Sequence, residues 1–233
     1  MNLHVGTSGY SYKEWKGSFY PDKIPAKEML NYYAERLSTV EINATFYRMP
    51  QKSMLETWKD QVPKNFRFAL KAPQTVTHFK RLKDVDQEAN YFLETASVLE
   101  SQLGVVLYQL PPNMKKDLER LEAFVKILPP HPRSAFEFRH ASWFDDDVLD
   151  VLRSRNYALC ISDTDDLPVT HIDPTADWGY LRLRRVNYSK QNLQAWLKQI
   201  RKQEWQEAFV FFKHEDEGTG PKLAAEFLGL ASK

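Results

Sequence analysis

Short β-rich runs alternate with longer helical patterns along the whole chain. That alternation restricts the possible folds more than any other feature of the sequence. Leu3 to Gly6 is the first strand candidate, and Met29, Leu30, Tyr33 and Leu37 then recur at helical spacing. Thr39 to Asn43 is the second strand, followed by a helix over Lys52 to Gln61. Phe66 to Lys71 is the third, and Ala89, Phe92, Leu93, Ala96 and Leu99 mark a long amphipathic helix after it. Gly104 to Leu110 is the fourth, stopped by Pro111-Pro112, with a helical stripe on Leu118, Leu121, Val125 and Leu128. Ala135 to Arg139 is the fifth. Its helix is expected to start near Ser142, with Asp145 three residues on in the spacing of a capping box. Tyr157 to Asp163 is the sixth strand and Tyr180 to Arg184 the seventh, the latter followed by a stripe of Leu193, Trp196, Leu197 and Ile200. Ala208 to Lys213 is the eighth strand, and Pro221 to Leu230 reads as the closing helix.

Strands that alternate with helices imply parallel βαβ units. Eight such units in one domain predict an α/β fold, a single closed (β/α)8 TIM barrel over residues 1–233. At 233 residues the chain fits the lower end of the range for that fold, which begins at about 200. The sixth unit is irregular, because Thr164 to Asp177 carries Pro168, Pro174 and several Asp residues and no helical stripe. A doubly wound open sheet is the main structural alternative.

Composition narrows the function classes. Lys plus Arg is 32 against 31 Asp plus Glu, a net charge of +1, which disfavours a protein that coats nucleic acid. Only one cysteine is present, Cys160, so no disulfide can close within the chain. Its apolar neighbours mark it as a small buried residue. No run of about 18 apolar residues could span a membrane, and residues 1–5 lack the pattern of a signal peptide, so a cytoplasmic location is expected. Oligomeric state is not legible.

In a barrel, alternate strand residues face the outer helices and the interior. With the apolar residues of each strand facing out, Glu41 and Asn43 point inward from the second strand. Arg67, Ala69 and Lys71 do so from the third, Gln109 from the fourth, and Glu137 and Arg139 from the fifth. Tyr180, Arg182 and Arg184 follow from the seventh, and Phe211 and Lys213 from the eighth, while Asp163 closes the sixth. Charged side chains thus gather at the C-terminal strand ends, where barrel active sites lie. A purely structural ion-pair network would explain the same pattern. The basic residues outnumber the acidic ones, which favours a carboxylate or phosphate ligand. Gly218-Thr219-Gly220-Pro221-Lys222 follows the eighth strand and opens a helix, a place where backbone amides can face an anion. The acidic run Glu215-Asp216-Glu217 just before it would repel one.

These motifs resemble the YecE-like family of TIM-barrel proteins of unknown function. The resemblance runs in order through Gly6-Thr7-Ser8-Gly9-Tyr10-Ser11-Tyr12 with Trp15 and Phe19-Tyr20-Pro21, then Glu41-Ile42-Asn43-Ala44-Thr45-Phe46-Tyr47. It continues through Phe68-Ala69-Leu70-Lys71-Ala72-Pro73 with Thr77-His78, and Gln109-Leu110-Pro111-Pro112. Phe136-Glu137-Phe138-Arg139-His140 with Ser142-Trp143, and Tyr180-Leu181-Arg182, complete it. It implies the barrel and no established reaction. The chain departs from the family's commoner pattern at Arg182-Leu183-Arg184-Arg185 and at Phe212-Lys213-His214, and both departures add positive charge.

Three functions remain open. The first is an enzyme acting on a small anionic or phosphorylated molecule, a hydrolase or isomerase, with Glu41 or Glu137 as general base and Lys71 or Arg182 stabilising negative charge. Asp163 and Arg139 complete its catalytic set. Asn43, Gln109, His78, His140, Arg184, Lys213, His214, Gly218 and Gly220 would bind the ligand, and Tyr10 and Tyr12 would wall it; no cofactor is expected. The second is a metal-dependent hydrolase or nuclease using His78, His140, His214, Glu41, Glu137 and Asp163, although no local ligand spacing is present and the basic excess disfavours a cation. The third is a non-catalytic binder of small molecules or, less favoured, of nucleic acid stacked on Tyr10, Tyr12 and Trp15. A satellite core under that loop is the favoured reading of the same aromatics.

Overall fold

The computed structural model describes residues 1–165, 172–214 and 216–232. Eight parallel strands close into a barrel in sequence order. They are β1 (Asn2–Ser8), β2 (Thr39–Ile42), β3 (Arg67–Lys71), β4 (Leu103–Gln109), β5 (Arg133–Glu137), β6 (Ala158–Asp163), β7 (Trp178–Leu183) and β8 (Glu207–Phe212). Closure is made by β1 beside β8, with Asn2 opposite Glu207 and Thr7 opposite Phe212. An open doubly wound sheet is thereby overturned.

The outer layer is α1 (Met29–Ala34), α2 (Ala44–Tyr47), α3 (Lys52–Asp60), α4 (Asp86–Ala96), α5 (Leu118–Ile127), α6 (Asp146–Arg153), α7 (Lys190–Arg201) and α8 (Thr219–Ala231). A π-helical turn, Thr75–Phe79, precedes α4. Between β6 and β7 no helix occurs among the described residues; residues 166–171, including Pro168, where the irregular sixth unit is expected, lie outside them. The expected capping box at Ser142 is not formed. Asp145 is itself the cap of α6, accepting from the Asp146 N–H, and Ser142 belongs to a separate 3-10 turn, Ala141–Trp143. The side chain of Ser142 is taken up there, accepting from the Lys116 N–H at 2.8 Å.

Two apolar layers hold the barrel. Outside the strands, Val5, Val40, Phe68, Val106, Phe136, Leu181 and Val210 pack against the helices. Inside, Ala69, Ala135 and Ala158 leave room that Trp178, Tyr180, Phe209 and Phe211 fill from the opposite wall. Small residues facing large ones bring the interior to close packing, so this end of the barrel is a core rather than a pore. At its N-terminal end His4 stacks on Phe209 at 4.6 Å and bonds Glu207 at 3.0 Å, and Arg133 also reaches Glu207. His4 is thus a hydrogen-bonded core residue. Arg67 also belongs to this end, donating to the Lys64 and Phe66 carbonyls, and adds no charge to the opposite mouth. Among the described residues no helix is long and apolar enough to cross a membrane.

Candidate active site at the C-terminal mouth

Above the aromatic layer the inward positions turn polar, and one guanidinium organises them. Arg182 of β7 donates to Glu41 Oε1 at 2.8 Å and to Glu137 Oε2 at 2.6 Å. All three side chains are buried. Around them Tyr180 OH donates to Glu41 Oε2 at 2.7 Å, Ser8 Oγ donates to Glu41 Oε1, and Asn43 Nδ2 donates to Ser8 Oγ at 2.8 Å. Gln109 Nε2 donates to Glu137 Oε2 at 2.8 Å, and Arg184 stands 3.9 Å from Glu137 Oε1. Charges buried this deeply persist because each has partners of opposite sign or good hydrogen bonds. The Nε of Arg182 is also buried and finds no acceptor among the described residues.

The electrostatics follow from that geometry. Burial pushes the Glu137 carboxyl up, but Arg182 and Arg184 outweigh it and hold the group at about 2. Glu41 is likewise lowered, burial being overcome by Arg182 and the Ser8 and Tyr180 hydroxyls. Such carboxylates stay ionised and are weak bases at neutral pH, so a general-base role suits neither well. They hold Arg182 instead.

Lys71 is different. It ends β3, is 8% exposed, and carries its ammonium 3.9 Å above the ring centre of Phe46 in α2. No acceptor lies within hydrogen-bonding distance of Nζ among the described residues. Burial first, and then the positive charges of Arg182 and Lys213, lower it to about 8, against the opposite pull of Glu41 and Glu137. His78 stands on the π-helical turn with its ring against Phe46 at 4.8 Å, and its Nδ1 bonds Thr77 Oγ1 at 2.9 Å. Burial, Lys71, Arg139 and Arg81 lower it to about 4, so it is neutral near pH 7. Arg139 and Lys213 are exposed just beyond the ends of β5 and β8.

Other expected site residues lie elsewhere. Asp163 shares its strand face with Leu159 and Ile161, which belong to the outer core, so it points away from the interior. There it accepts from Arg185 Nε at 2.7 Å and from Tyr188 OH and Trp196 Nε1 at 3.0 Å each, and it pins the loop between β7 and α7. His140 caps the 3-10 turn, with Nδ1 against Ser142 Oγ at 2.9 Å. His214 bonds the Arg185 carbonyl through Nε2. Tyr10 and Tyr12 belong to the satellite core under the first loop. Tyr12 packs on Trp15 at 4.8 Å and donates to the Ser8 carbonyl at 2.8 Å, while the Tyr10 carbonyl accepts from Tyr20 OH. Gly218 caps α8 at φ 73°, where a Cβ would meet Ser18 Oγ at 2.5 Å. Gly220 is buried against the His214 carbonyl, Thr7 and Trp15. Close packing with the first loop therefore accounts for both glycines. Of the acidic run before them, Glu215 lies outside the described residues.

Ser8 escaped the sequence reading because β1 runs two residues beyond Gly6, and strand alternation from Gly6 carries Ser8 to the inner face. Phe46 gave no such signal, since it lies on a helix after β2. Among the described residues no group of three or more His, Cys, Asp or Glu side chains comes together as a metal site. The carboxylates that were candidate ligands are engaged by Arg182 and by hydroxyl and amide donors. A groove lined by Gln194, Leu197, Arg201 and Leu230 lies between α7 and α8 on the outside of the barrel, remote from the mouth.

Comparison with known proteins places this site in a family. The chain is 22% identical over 227 residues to the UPF0759 protein YunF of Bacillus subtilis, which covers 92% of this chain and 79% of that protein. It is 32% identical over 143 residues to the UPF0759 protein YecE of Escherichia coli, 61% of this chain and half of that protein. The crystal structure of a DUF72 family protein from Thermotoga maritima superposes with a TM-score of 0.85 at 25% identity, each chain covered in full. The family model described as protein of unknown function DUF72 matches residues 4–233, nearly the whole barrel with every residue of the Arg182 network in it, and the chain belongs to that family.

Proposed function

We propose that the C-terminal mouth binds a small anionic molecule and that Lys71 is the cation it meets. The observation that carries this reading is the Lys71 ammonium, 8% exposed with no acceptor on it among the described residues. A buried ammonium without a hydrogen-bond acceptor is costly, and a carboxylate or phosphate would complete it with a charge-assisted hydrogen bond. The nearby carboxylates do not serve, because Arg182 already holds Glu41 and Glu137. Arg184, Arg139 and Lys213 add positive potential around it. Should turnover accompany binding, Lys71 is the group whose protonation changes near neutral pH, which suits proton transfer in hydrolysis or isomerisation.

Thermal stability against inorganic phosphate, sugar phosphates, carboxylates, nucleotides and divalent metals, in wild type and Lys71→Met, tests this. An anion at about 100 times its dissociation constant should stabilise the wild type by about 2.7 kcal/mol. The Lys71→Met protein should not respond. A response to divalent metals alone would replace this reading with the metal-dependent one.

A second reading, a binder of larger ligands, draws on the rim. Tyr47, Phe79, Phe144 and Val186 are exposed, and each lies in the segment between a strand's C-terminal end and the main helix that follows it. Exposed aromatics beside cations could stack single-stranded bases. Affinity for an oligonucleotide that falls steeply with salt would favour this reading, and no measurable affinity would remove it.

A further inference from the structure

We infer that Lys71 condenses with the carbonyl carbon of an anionic aldehyde or ketone to form an imine, while the cations of the mouth hold the substrate's carboxylate or phosphate. The inference rests on the anion-binding reading above and names the chemistry of that site. Its basis is the placement of the amine. Lys71 is buried at the end of β3, its Nζ stands over the face of Phe46, and among the described residues no carboxylate or carbonyl oxygen bonds it. A lysine retained only as a point charge would be expected to sit against an acceptor, and an arginine would do that work better. A buried lysine held over an aromatic face among other cations is instead an activated amine nucleophile. The charged and titratable groups that act on it are Arg182 from β7, Glu41 from β2, Glu137 from β5 and Lys213 after β8, with His78 and Arg139 beside them. Together with burial they hold the amine at about 8, so about one-tenth of it is free base at pH 7.

The step balances without a further reactant. The amine lone pair attacks the carbonyl carbon, the C–O π pair moves to oxygen, and one proton passes from nitrogen to oxygen to give a carbinolamine. A second proton reaches that oxygen, water leaves, and the nitrogen lone pair closes the C=N bond. Counted from the ammonium, one N–H hydrogen stays on the iminium and the others leave in the water, so no net proton is taken up. The iminium keeps the positive charge, which Glu41 and Glu137 still attract although Arg182 holds them. Arg182, fixed by both carboxylates, cannot deliver a lone pair, and Ser8 and Tyr180 are tied to Glu41.

The test uses the wild-type protein, glyoxylate as the probe and cyanoborohydride to reduce any imine, with peptide mapping by mass spectrometry. The exposed Lys115 serves as internal reference. Lys71 should acquire the reduced adduct at least tenfold faster than Lys115 near pH 7.5, and inorganic phosphate should slow it. Acetaldehyde, which has the carbonyl but no anion, should show a smaller preference. Labelling of Lys71 no faster than Lys115 overturns the inference. If phosphate still raises the melting temperature of wild type and not of Lys71→Met in that case, the mouth binds anions without covalent chemistry. Labelling that is equally fast with acetaldehyde and indifferent to phosphate overturns the anionic substrate class.

Discussion

Arg182 carries two buried carboxylates on one guanidinium, so its loss is felt twice. Arg182→Met keeps most of the side chain's length and removes the charge. Two buried carboxylates that lose their shared cation should cost about 3–5 kcal/mol in urea unfolding at pH 7. Part of that loss should return on acidification, as the stranded carboxylates take up protons. Lys71 behaves in the opposite sense. Its folded value of about 8 lies below the 10.5 of an ordinary lysine, so between those values the unfolded chain binds the extra proton. Stability should therefore rise with pH across that window, and Lys71→Met should abolish the rise. The difference between the two proteins from pH 7 to pH 10.5 should reach about 3 kcal/mol at most, read by denaturant titration. The inner positions of Glu41, Lys71, Gln109, Glu137 and Arg182 were legible because each alternates with bulky apolar neighbours. Asp163 was not, because β6 is apolar on both faces, with Cys160 inside and Leu159 and Ile161 outside. Only parity with Leu159 and Ile161 tells which way its carboxylate turns.

At the level of elements, β7 and β8 fill the interior that the alanines of β3, β5 and β6 leave open. Phe209→Ala would open that layer and take away the ring on which His4 stacks. The expected loss is about 3–5 kcal/mol, measured as a lower urea midpoint. The alternation of the strands was open to the sequence, while their ends were not. β5 stops at Glu137 and leaves Arg139 exposed, whereas β1 extends to Ser8 and completes the network. Strand ends depend on pairing with neighbours distant in sequence, which propensity does not encode. Helix starts depend on side chains more local than periodicity. α7 begins with a Ser189–Asn192 capping box that no apolar stripe announced, and α6 begins at Asp145 because Ser142 is used elsewhere. The start of α8 is set by packing, since Gly218 holds a left-handed φ against Ser18. Gly218→Ala should cost at least about 1–2 kcal/mol from the backbone alone, visible as a lower melting temperature.

For the whole molecule, the near balance of 32 basic and 31 acidic side chains means that acid stability is decided by a few perturbed groups rather than by net charge. Closure of the barrel is what perturbs them, because it brings Glu137 of β5 and Arg182 of β7 into one dry interior. The folded value of Glu137, about 2, lies below its ordinary 4.5, so its contribution is complete above pH 4.5 and is lost as pH falls toward 2. His78 is lowered to about 4 from 6.5, so the folded state resists its protonation and stability falls as pH drops from 6.5 to 4. The two windows adjoin, and together they predict a continuous decline in melting temperature from pH 6.5 to pH 2. Two variants separate them. His78→Gln should make the upper part, from 6.5 to 4, shallower and leave the lower part as it is, with His4 and His214, also lowered by burial, keeping their share. Glu137→Gln should be less stable than wild type at pH 7, because Arg182 loses one of its two carboxylates, yet below pH 4.5 it should lose less than wild type does, Glu41 alone remaining to be protonated on Arg182. The wild-type and Glu137→Gln melting curves should therefore converge as the pH approaches 2. If they stay parallel instead, the carboxylate is not held ionised by Arg182, and the buried network does not set the acid limit of the fold.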